Sequence, residues 1–503
     1  MRSRLTCLSI AVGVLASSAA AIAVAEQEAS PPADRSTPDA EDELGSTPQM
    51  GWNTWNVFRC DINEGKIKAA ADAIKEHGLD KLGYKYVNID DCWQAEKRDE
   101  NNRLQADPGR FPQGIKPVAD YVRARGLKLG LYATPGKRTC ANIWDDYPGM
   151  NGSLGYEELD AQTFVSWGVE YLKYDWCKAD EDGVEAESAF RKMRSALDKA
   201  VEEAAEKNGG VKRPVFYSIH VEPQRPVDAW RPEVANSWRT THDIVNKGDK
   251  HSWKKMIEIA QINRKLKGYG PQGWNDPDML DIGNGRLDEA ESRTHFSLWS
   301  MMAAPLLAGT DLTKATPETL KILRNRDVIA VDQDKLGKQG TVVSGNDNGL
   351  VVMSKELADG SYAVTLTNEG KGTATISTTA GAVGLGSAAT YSVQDLWSGK
   401  RTTTTGSLTA EVAEHDTVMY RVTAEDDGSS VSSTPPSPVS PIPLTPDHGA
   451  TCTAPPWNRG TAYEHKGLTV SHNGRVWQSK WWTRGNEPGS TYAYGAWADL
   501  GAC

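Results

Sequence analysis

From Gln49 to about Asp334 the chain alternates short β-rich runs with amphipathic helical stretches, and few folds absorb so regular an alternation. The runs are Tyr86–Ile89, Leu127–Tyr132, Val169–Tyr174, Val215–Ile219 and Val234–Trp238. Between them lie the helix-like segments Glu64–His77, Ile115–Arg125, Tyr156–Val165, Ala186–Glu206 and Trp253–Leu266. Strands joined through helices pair in parallel, because a crossover is needed to bring the chain back in the same direction. About 290 residues of such units suit an eight-fold β/α barrel, expected over residues 48–335. A doubly wound open sheet is the competing architecture, but no glycine-rich dinucleotide fingerprint accompanies the strands.

Beyond Leu336 the texture changes to Gly-, Thr- and Val-rich alternation, as in Leu350–Lys355, Tyr362–Asn368 and Thr417–Val422. Without a helical period this predicts an antiparallel β-sandwich over 336–424. Residues 425–450 contain Ser432-Ser433-Thr434-Pro435-Pro436-Ser437-Pro438 and read as a semi-rigid tether to a small all-β module at 451–503. At the other end, residues 1–25 carry Arg2, Arg4, an apolar stretch from Leu8 to Val24 and the small-residue end Ala23-Val24-Ala25, the pattern of a cleaved export signal. Residues 26–47 are polar, acidic and Pro-bearing, as in a disordered leader. A secreted, extracellular protein is expected, with no membrane partner, since no second apolar segment of about 18 residues follows. Cys7 leaves with the signal, and Cys60, Cys92, Cys140, Cys177, Cys452 and Cys503 remain, an even set that suggests three disulfides. Cys452 and Cys503 alone bracket the last region and are expected to pair. No C-x-x-C or H-x-x-x-H spacing lies near the cysteines, so neither a metal nor a cofactor is expected.

Acidic residues outnumber basic ones 67 to 56, for a formal charge of −11, and no basic block interrupts the chain, which argues against a nucleic-acid partner. Trp outnumbers Phe by 17 to 6. Trp adds a broad flat face and an N–H donor, both useful against sugar rings. Five of the 17, Trp457, Trp477, Trp481, Trp482 and Trp497, fall in the last 52 residues, too many for so small a core to hide. Trp477 and one of the Trp481/Trp482 pair are expected inside, since strand neighbours face opposite sides. The outward rings, from among Trp457, Trp481, Trp482 and Trp497, are expected to form a stacking platform. The stretch Asn473-Gly474-Arg475-Val476-Trp477-Gln478-Ser479-Lys480-Trp481-Trp482-Thr483, followed by Glu487-Pro488-Gly489-Ser490 and Trp497, resembles the chitin-type carbohydrate-binding modules of families 5 and 12. That resemblance implies an insoluble polysaccharide as partner.

In a β/α barrel, functional groups sit where strands end. One strand runs into Ile89-Asp90-Asp91-Cys92-Trp93, another into Lys173-Tyr174-Asp175-Trp176-Cys177, and a third through Trp238-Arg239 to Thr240-Thr241-His242-Asp243. Each Asp alone fits a helix cap or a turn; several together, with cations and aromatics, point to chemistry. Lys173 and Asp175 are two apart in a strand and share a face. A cation beside Asp175 keeps it ionised, as a carboxylate nucleophile requires. Asp243 follows β-branched residues once the chain has passed Arg239, a less cationic setting in which desolvation is expected to raise its pKa toward general-acid use. Two carboxylates with opposite protonation needs are the equipment of glycoside hydrolysis.

Gly51-Trp52-Asn53-Thr54-Trp55, Ile89-Asp90-Asp91-Cys92-Trp93, Gly130-Leu131-Tyr132-Ala133, Tyr171-Leu172-Lys173-Tyr174-Asp175-Trp176-Cys177, Trp238-Arg239 with Asp243, and Trp274-Asn275-Asp276-Pro277-Asp278-Met279-Leu280 together resemble glycoside hydrolase family 27, the α-galactosidases or melibiases. The resemblance runs from about Gln49 to Arg421. It implies a retaining exo-glycosidase acting on terminal sugars of oligo- or polysaccharides, with Asp175 as nucleophile and Asp243 as acid and base. It further implies that Asp90 and Asp91 bind sugar hydroxyls, that Trp55 packs on the ring, that Tyr132, Lys173 and Arg239 line the pocket, and that Cys60–Cys92 and Cys140–Cys177 are disulfides. The Trp274–Leu280 segment reads equally as a turn bracing the barrel mouth. The chain departs from the family at Ile219-His220-Val221-Glu222-Pro223, where Glu222 is expected to replace the usual carboxylate with a one-residue shift, and at His242. These departures leave open α-N-acetylgalactosaminides, β-L-arabinopyranosides and α-1,6-glucans as substrates. A different reading, a non-catalytic lectin-like pocket, is disfavoured because both carboxylates are present.

Overall fold

The computed structural model describes residues 44–221 and 230–425 and, toward the C-terminus, 454–458, 461–463, 467–479, 483–484, 488 and 497–502. The expected signal and leader, the Ser/Pro-rich stretch, Glu222, Trp481, Trp482, Cys452 and Cys503 lie outside the described residues. The chain divides into two compact units, Met1–Ser429 and Ser430–Cys503.

Eight strands open the first unit: β1 (Met50–Asn53), β2 (Tyr86–Asn88), β3 (Lys128–Ala133), β4 (Tyr171–Asp175), β5 (Phe216–His220), β6 (Ser237–Arg239), β7 (Trp274–Asp276) and β8 (Leu306–Ala308). They form one sheet in the order β7-β6-β5-β4-β3-β2-β1-β8, every pair parallel. The two ends of the sheet meet just past β7, where Leu280 bridges Ala308 and its N–H donates to Leu307 O at 2.8 Å. The result is TIM-like. Because helices cover the outer face, the strands bury both sides and read as apolar runs; Val87, Leu131, Leu172 and Ile219 are all at most 1 % exposed.

The helices follow their apolar stripes. Ala186–Lys207 buries Ala189, Phe190, Met193, Ala196, Leu197, Ala200 and Val201 at three- and four-residue spacing. Glu289–Met301 is buried on nearly every side, so it has no stripe to read; an Asp288/Glu291 capping box starts it. The run Val234–Trp238, expected as one strand, splits into a helical turn at Arg231–Val234 and β6. Pro232, near the start of that turn, presets its backbone angle for a helix.

The barrel's tryptophans are mostly core rather than sugar-facing. Trp52, Trp93, Trp238, Trp274 and Trp299 are at most 2 % exposed. Each indole N–H is used: Trp52 donates to Thr310 O, Trp93 to Tyr132 O, Trp238 to Asn275 Oδ1, Trp274 to Gly45 O and Trp299 to Asp278 O, at 2.7–2.9 Å. Trp thus fills volume and pins loops at the same positions.

Eight antiparallel strands follow: β9 (Thr341–Gly345), β10 (Leu350–Glu356), β11 (Tyr362–Asn368), β12 (Ala374–Thr379), β13 (Thr390–Asp395), β14 (Arg401–Thr404), β15 (Ser407–Val412) and β16 (Thr417–Glu425). A six-stranded sheet, β14-β13-β16-β11-β10-β9, is accompanied by the pair β12-β15, with Val352, Val364, Leu366, Ile376, Leu408 and Val422 in one core. This domain clamps the barrel. Lys355 of β10, 1 % exposed, donates Nζ to Ser300 O at 3.0 Å and Val331 O at 2.6 Å, carbonyls in the last turns of the helices Glu289–Met301 and Arg326–Asp332.

In the second unit, Thr469–His472, Arg475–Ser479 and Trp497–Ala502 form an antiparallel sheet. Trp497, expected on the outside, is 5 % exposed and stands edge-on to Tyr463 with ring centroids 4.9 Å apart. Trp457 is half-buried against the same cluster, as is Trp477. Val470 is the one aliphatic side chain buried there among the described residues, so aromatic rings must supply the rest of the core. No helix among the described residues is long and apolar enough to cross a membrane.

Arg98 ties the loop after β3 to the barrel: it donates to Asp160 at 2.6 and 2.8 Å and to Gly152 O at 2.9 Å. Asp160 is fully buried. Asp160→Ala, which strands the guanidinium, is expected to cost about 3–5 kcal/mol. Denaturant unfolding that shows less than about 1 kcal/mol of loss would contradict this anchoring.

Candidate active site

The carboxylates converge where the strands end. Asp90 Oδ2 accepts from Asn53 Nδ2 at 2.8 Å and Lys173 Nζ at 2.9 Å. Asp91 accepts from the backbone N–H groups of Cys92 and Ala141, both at 2.7 Å; burial outweighs these donors and pushes its carboxyl up to about 7. Lys173 stands between Asp90 and Asp175, 3.9 Å from the latter and 5.2 Å from the Tyr132 ring centroid. Burial would lower the Lys173 pKa, but Asp90, Asp175 and Asp243 hold it well above the usual lysine value.

Asp175, at the end of β4, is 8 % exposed. In the β4–β5 register it lies opposite His220, whose Nδ1 is 3.0 Å from Asp175 Oδ1. Burial would raise the Asp175 pKa; His220, Lys173 and Arg239 outweigh it and keep the carboxylate well below its usual range. Asp243 corrects an expectation. The chain turns back after β6, so Arg239 is not left behind: its Nη2 lies 3.1 Å from Asp243 Oδ1. Burial pushes the Asp243 pKa up, but Arg239, His220 and Lys173 together outweigh it and lower it. Its side chain stays 45 % exposed.

Arg239 also reaches Asp278 Oδ2 at 3.3 Å, and the same oxygen accepts from Ile244 N–H at 2.8 Å. Asp278 adopts φ 90, outside the range favoured by L-residues. The segment after β7 therefore braces the loop that carries Asp243.

Trp55, Asp90, Asp91, Tyr132, Lys173, Asp175 and Asp243 line one pocket of about 230 Å³, with Arg239 behind Asp243. Its outer wall is Arg59, Trp144, Asp145, Asn246 and Lys247. The disulfides Cys60–Cys92 and Cys140–Cys177 flank it, and Tyr132 Oη is 2.9 Å from Cys177 Sγ. Cys140, Asp175 and Cys177 cluster closely enough to suggest a metal site among the described residues, but the two sulfurs are bonded to each other. His242 is exposed and lines an adjoining cavity with Asp175 and Asp243. His220 and Trp144 were not singled out from the sequence. Pairing the ends of β4 and β5 would have placed His220 against Asp175.

A family model described as alpha galactosidase A matches residues 47–334, and one described as alpha galactosidase C-terminal beta sandwich domain matches 347–422. The chain belongs to the alpha-galactosidase family of glycoside hydrolases. It is 43 % identical to an alpha-galactosidase of Oryza sativa over 76 % of this chain and 86 % of that one. It is 39 % identical to an alpha-N-acetylgalactosaminidase of Gallus gallus, over 72 % of this chain and 88 % of the other. The crystal structure of alpha-galactosidase I from Mortierella vinacea superposes with a TM-score of 0.67 at 33 % identity, covering 76 % of this chain and 99 % of that one.

In this family member, His220, hydrogen-bonded to Asp175, is one of the groups that lower its pKa. Removing such a partner raises a carboxyl pKa. His220→Ala is therefore expected to move the acid limb of the kcat/KM profile to higher pH; a limb that stays put would show that Lys173 and Arg239 suffice.

Proposed function

We propose that the protein is a retaining exo-α-galactosidase. The observation that carries this reading is the pairing of two unlike carboxylates on one pocket: Asp175 buried among cations, Asp243 half-exposed at the opening. Asp175 attacks the anomeric carbon while Asp243 gives its proton to the glycosidic oxygen, so that the C–O bond breaks and the leaving sugar departs neutral. Asp243 then takes a proton from water, whose oxygen displaces Asp175 from the anomeric carbon. Because Arg239 lowers the Asp243 pKa, the protonated acid is most populated in acidic solution, and an acidic optimum follows.

Pocket size supports exo action: about 230 Å³ falls below the roughly 300–1,000 Å³ of drug-sized sites and suits one terminal unit. Asp90, Asp91 and Lys173 offer hydrogen-bond partners to its hydroxyls, and a sugar that left one unpaired would be rejected. The rice relative favours galactose as that unit, and the chicken relative makes N-acetylgalactosamine its competitor. A panel of α-galactoside, α-N-acetylgalactosaminide, β-L-arabinopyranoside and α-glucoside decides among them. We expect the first to be hydrolysed fastest, with NMR showing the α-anomer released first.

Asp175→Asn is expected to abolish turnover without loss of fold. Asp243→Ala should lose about 10²–10⁴-fold on poor leaving groups, with azide restoring turnover of an activated substrate. Substantial activity in the first variant, or a β-anomeric product from the wild type, would overturn the scheme.

The second unit we read as a polysaccharide-binding module, supported by its five Trp in 52 residues, although Trp497 now belongs to its core. Deleting 449–503 is expected to leave hydrolysis of a soluble aryl galactoside unchanged and to weaken retention on insoluble polysaccharide. Equal pull-down of both forms would sink the module.

A further inference from the structure

A second cavity, of about 310 Å³, lies on the seam between barrel and sandwich and shares no residue with the catalytic pocket. Trp397 gives it a flat wall. The ring is half-buried: it packs against Phe296 of the helix Glu289–Met301 with ring centroids 6.4 Å apart, and its indole N–H donates to Ser297 Oγ at 3.0 Å. The turn that carries it is equally fixed. Asp395 Oδ1 accepts from the Trp397 and Ser398 backbone N–H groups at 2.8 and 3.1 Å, and Leu396 O accepts from Asn325 Nδ2 at 2.9 Å. The cavity is therefore walled by a ring that has little freedom left to lose when a partner covers it.

Around the ring stand charges of both signs. Arg293 donates to Asp416 of the sandwich at 3.3 and 2.7 Å and to Glu289 of its own helix at 2.9 Å. Lys321, on the helix Pro317–Leu323, is exposed and makes no hydrogen bond among the described residues, and Asp395 Oδ2 likewise accepts none. Three carboxylates, Glu289, Asp395 and Asp416, thus line the cavity with two cations, Arg293 and Lys321. A ligand with one net charge would be drawn by one set and repelled by the other. A hydroxyl both donates and accepts, so a neutral polyhydroxylated ligand satisfies both sets. With an aromatic face beside them, the partner that fits is a ring with an apolar C–H face and a rim of hydroxyls. The volume agrees, since it exceeds the about 230 Å³ that suits one sugar unit in the catalytic pocket.

We propose that the seam is a second, non-catalytic saccharide site, whose ligand is a neutral hexopyranose unit of an oligo- or polysaccharide. The ring's C–H face packs on Trp397, and its hydroxyls meet the Lys321 ammonium, the free Asp395 oxygen and the Arg293–Asp416 pair. Helices of a β/α barrel run back against their strands, so the N-terminal part of Glu289–Met301, where Glu289 and Arg293 stand, lies toward the face where the strands end. A saccharide chain held there stays on the side of the catalytic mouth without entering it, which raises its effective concentration at that face. The site exists only while the two domains are docked, because the barrel supplies Glu289, Arg293 and Lys321 and the sandwich supplies Asp395, Trp397 and Asp416.

The test is photolabelling of the full chain with diazirine-bearing alkyl β-galactopyranoside and alkyl β-glucopyranoside, the labelled positions being read by peptide mass spectrometry. An α-galactosidase leaves both probes intact, so the outcome does not depend on what the catalytic pocket cleaves. The expected result is label on the peptides that contain Trp397 or Lys321, competed away by an excess of the corresponding methyl glycoside. Trp397→Ala is expected to lower that labelling about tenfold, the scale of one lost ring-face contact, and Lys321→Ala about threefold. Trp397→Phe keeps a ring without the N–H pin and should keep most of the label. Lys321 is exposed and holds nothing in place, so its variant folds, and its hydrolysis of a small aryl galactoside should change by less than about twofold. No competable label at the seam of the wild type, or undiminished label in Lys321→Ala, overturns the site. Concentration-dependent dimerisation that Lys321→Ala abolishes would assign the cavity to a second copy of the chain and overturn it as well.

Discussion

A carboxylate taken out of water must meet a cation or several N–H donors, or give up its charge. Five buried or nearly buried aspartates meet at the barrel mouth, Asp90, Asp91, Asp175, Asp276 and Asp278, with Asp243 above them. Lys173 on β4 answers Asp90 after β2 and Asp175 on its own strand; Arg239 on β6 answers Asp278 after β7 and Asp243 beyond β6. Two cations thus stitch strand ends that are not adjacent in sequence. The acidity of these carboxylates and the closure of the mouth come from the same few contacts, so neither can be altered alone. His220 adds a contact to Asp175 from β5.

The long, regular parts of this architecture were legible in the sequence. The runs at Tyr86, Leu127, Val169 and Val215 and their helices stand within a few residues of their expected places, because strands buried on both faces read as apolar runs and one-sided helices read as stripes. β1, β7 and β8 have four, three and three residues, too short for any period, and the helix Glu289–Met301 shows no stripe because nearly all of it is buried. At the site, the strand-end aspartates were legible for the same reason as the strands. The setting of Asp243 was not: separation along the chain was read as separation in space, and a turn brought Arg239 back. Composition likewise does not tell the two uses of Trp apart: a ring suited to sugars serves the barrel at Trp52, Trp93, Trp238, Trp274 and Trp299 as filler and loop pin.

Trp144 and His220 illustrate what a single sequence leaves hidden. His220 matters through its register against Asp175, which requires both strand ends to be known. Trp144 faces solvent on a helix held by the Cys140–Cys177 disulfide and by the Ala141 N–H on Asp91, contacts that reach to the end of β4 and to the loop after β2.

Lys355 gives the two larger domains a shared fate. Its ammonium is buried and satisfied by carbonyls that belong to barrel helices, so parting the two domains would open both halves of the contact to water, the helix-end carbonyls on one side and the ammonium on the other. The C-terminal unit, which begins at Ser430, is the part of the chain that can be exchanged for another without reopening that contact.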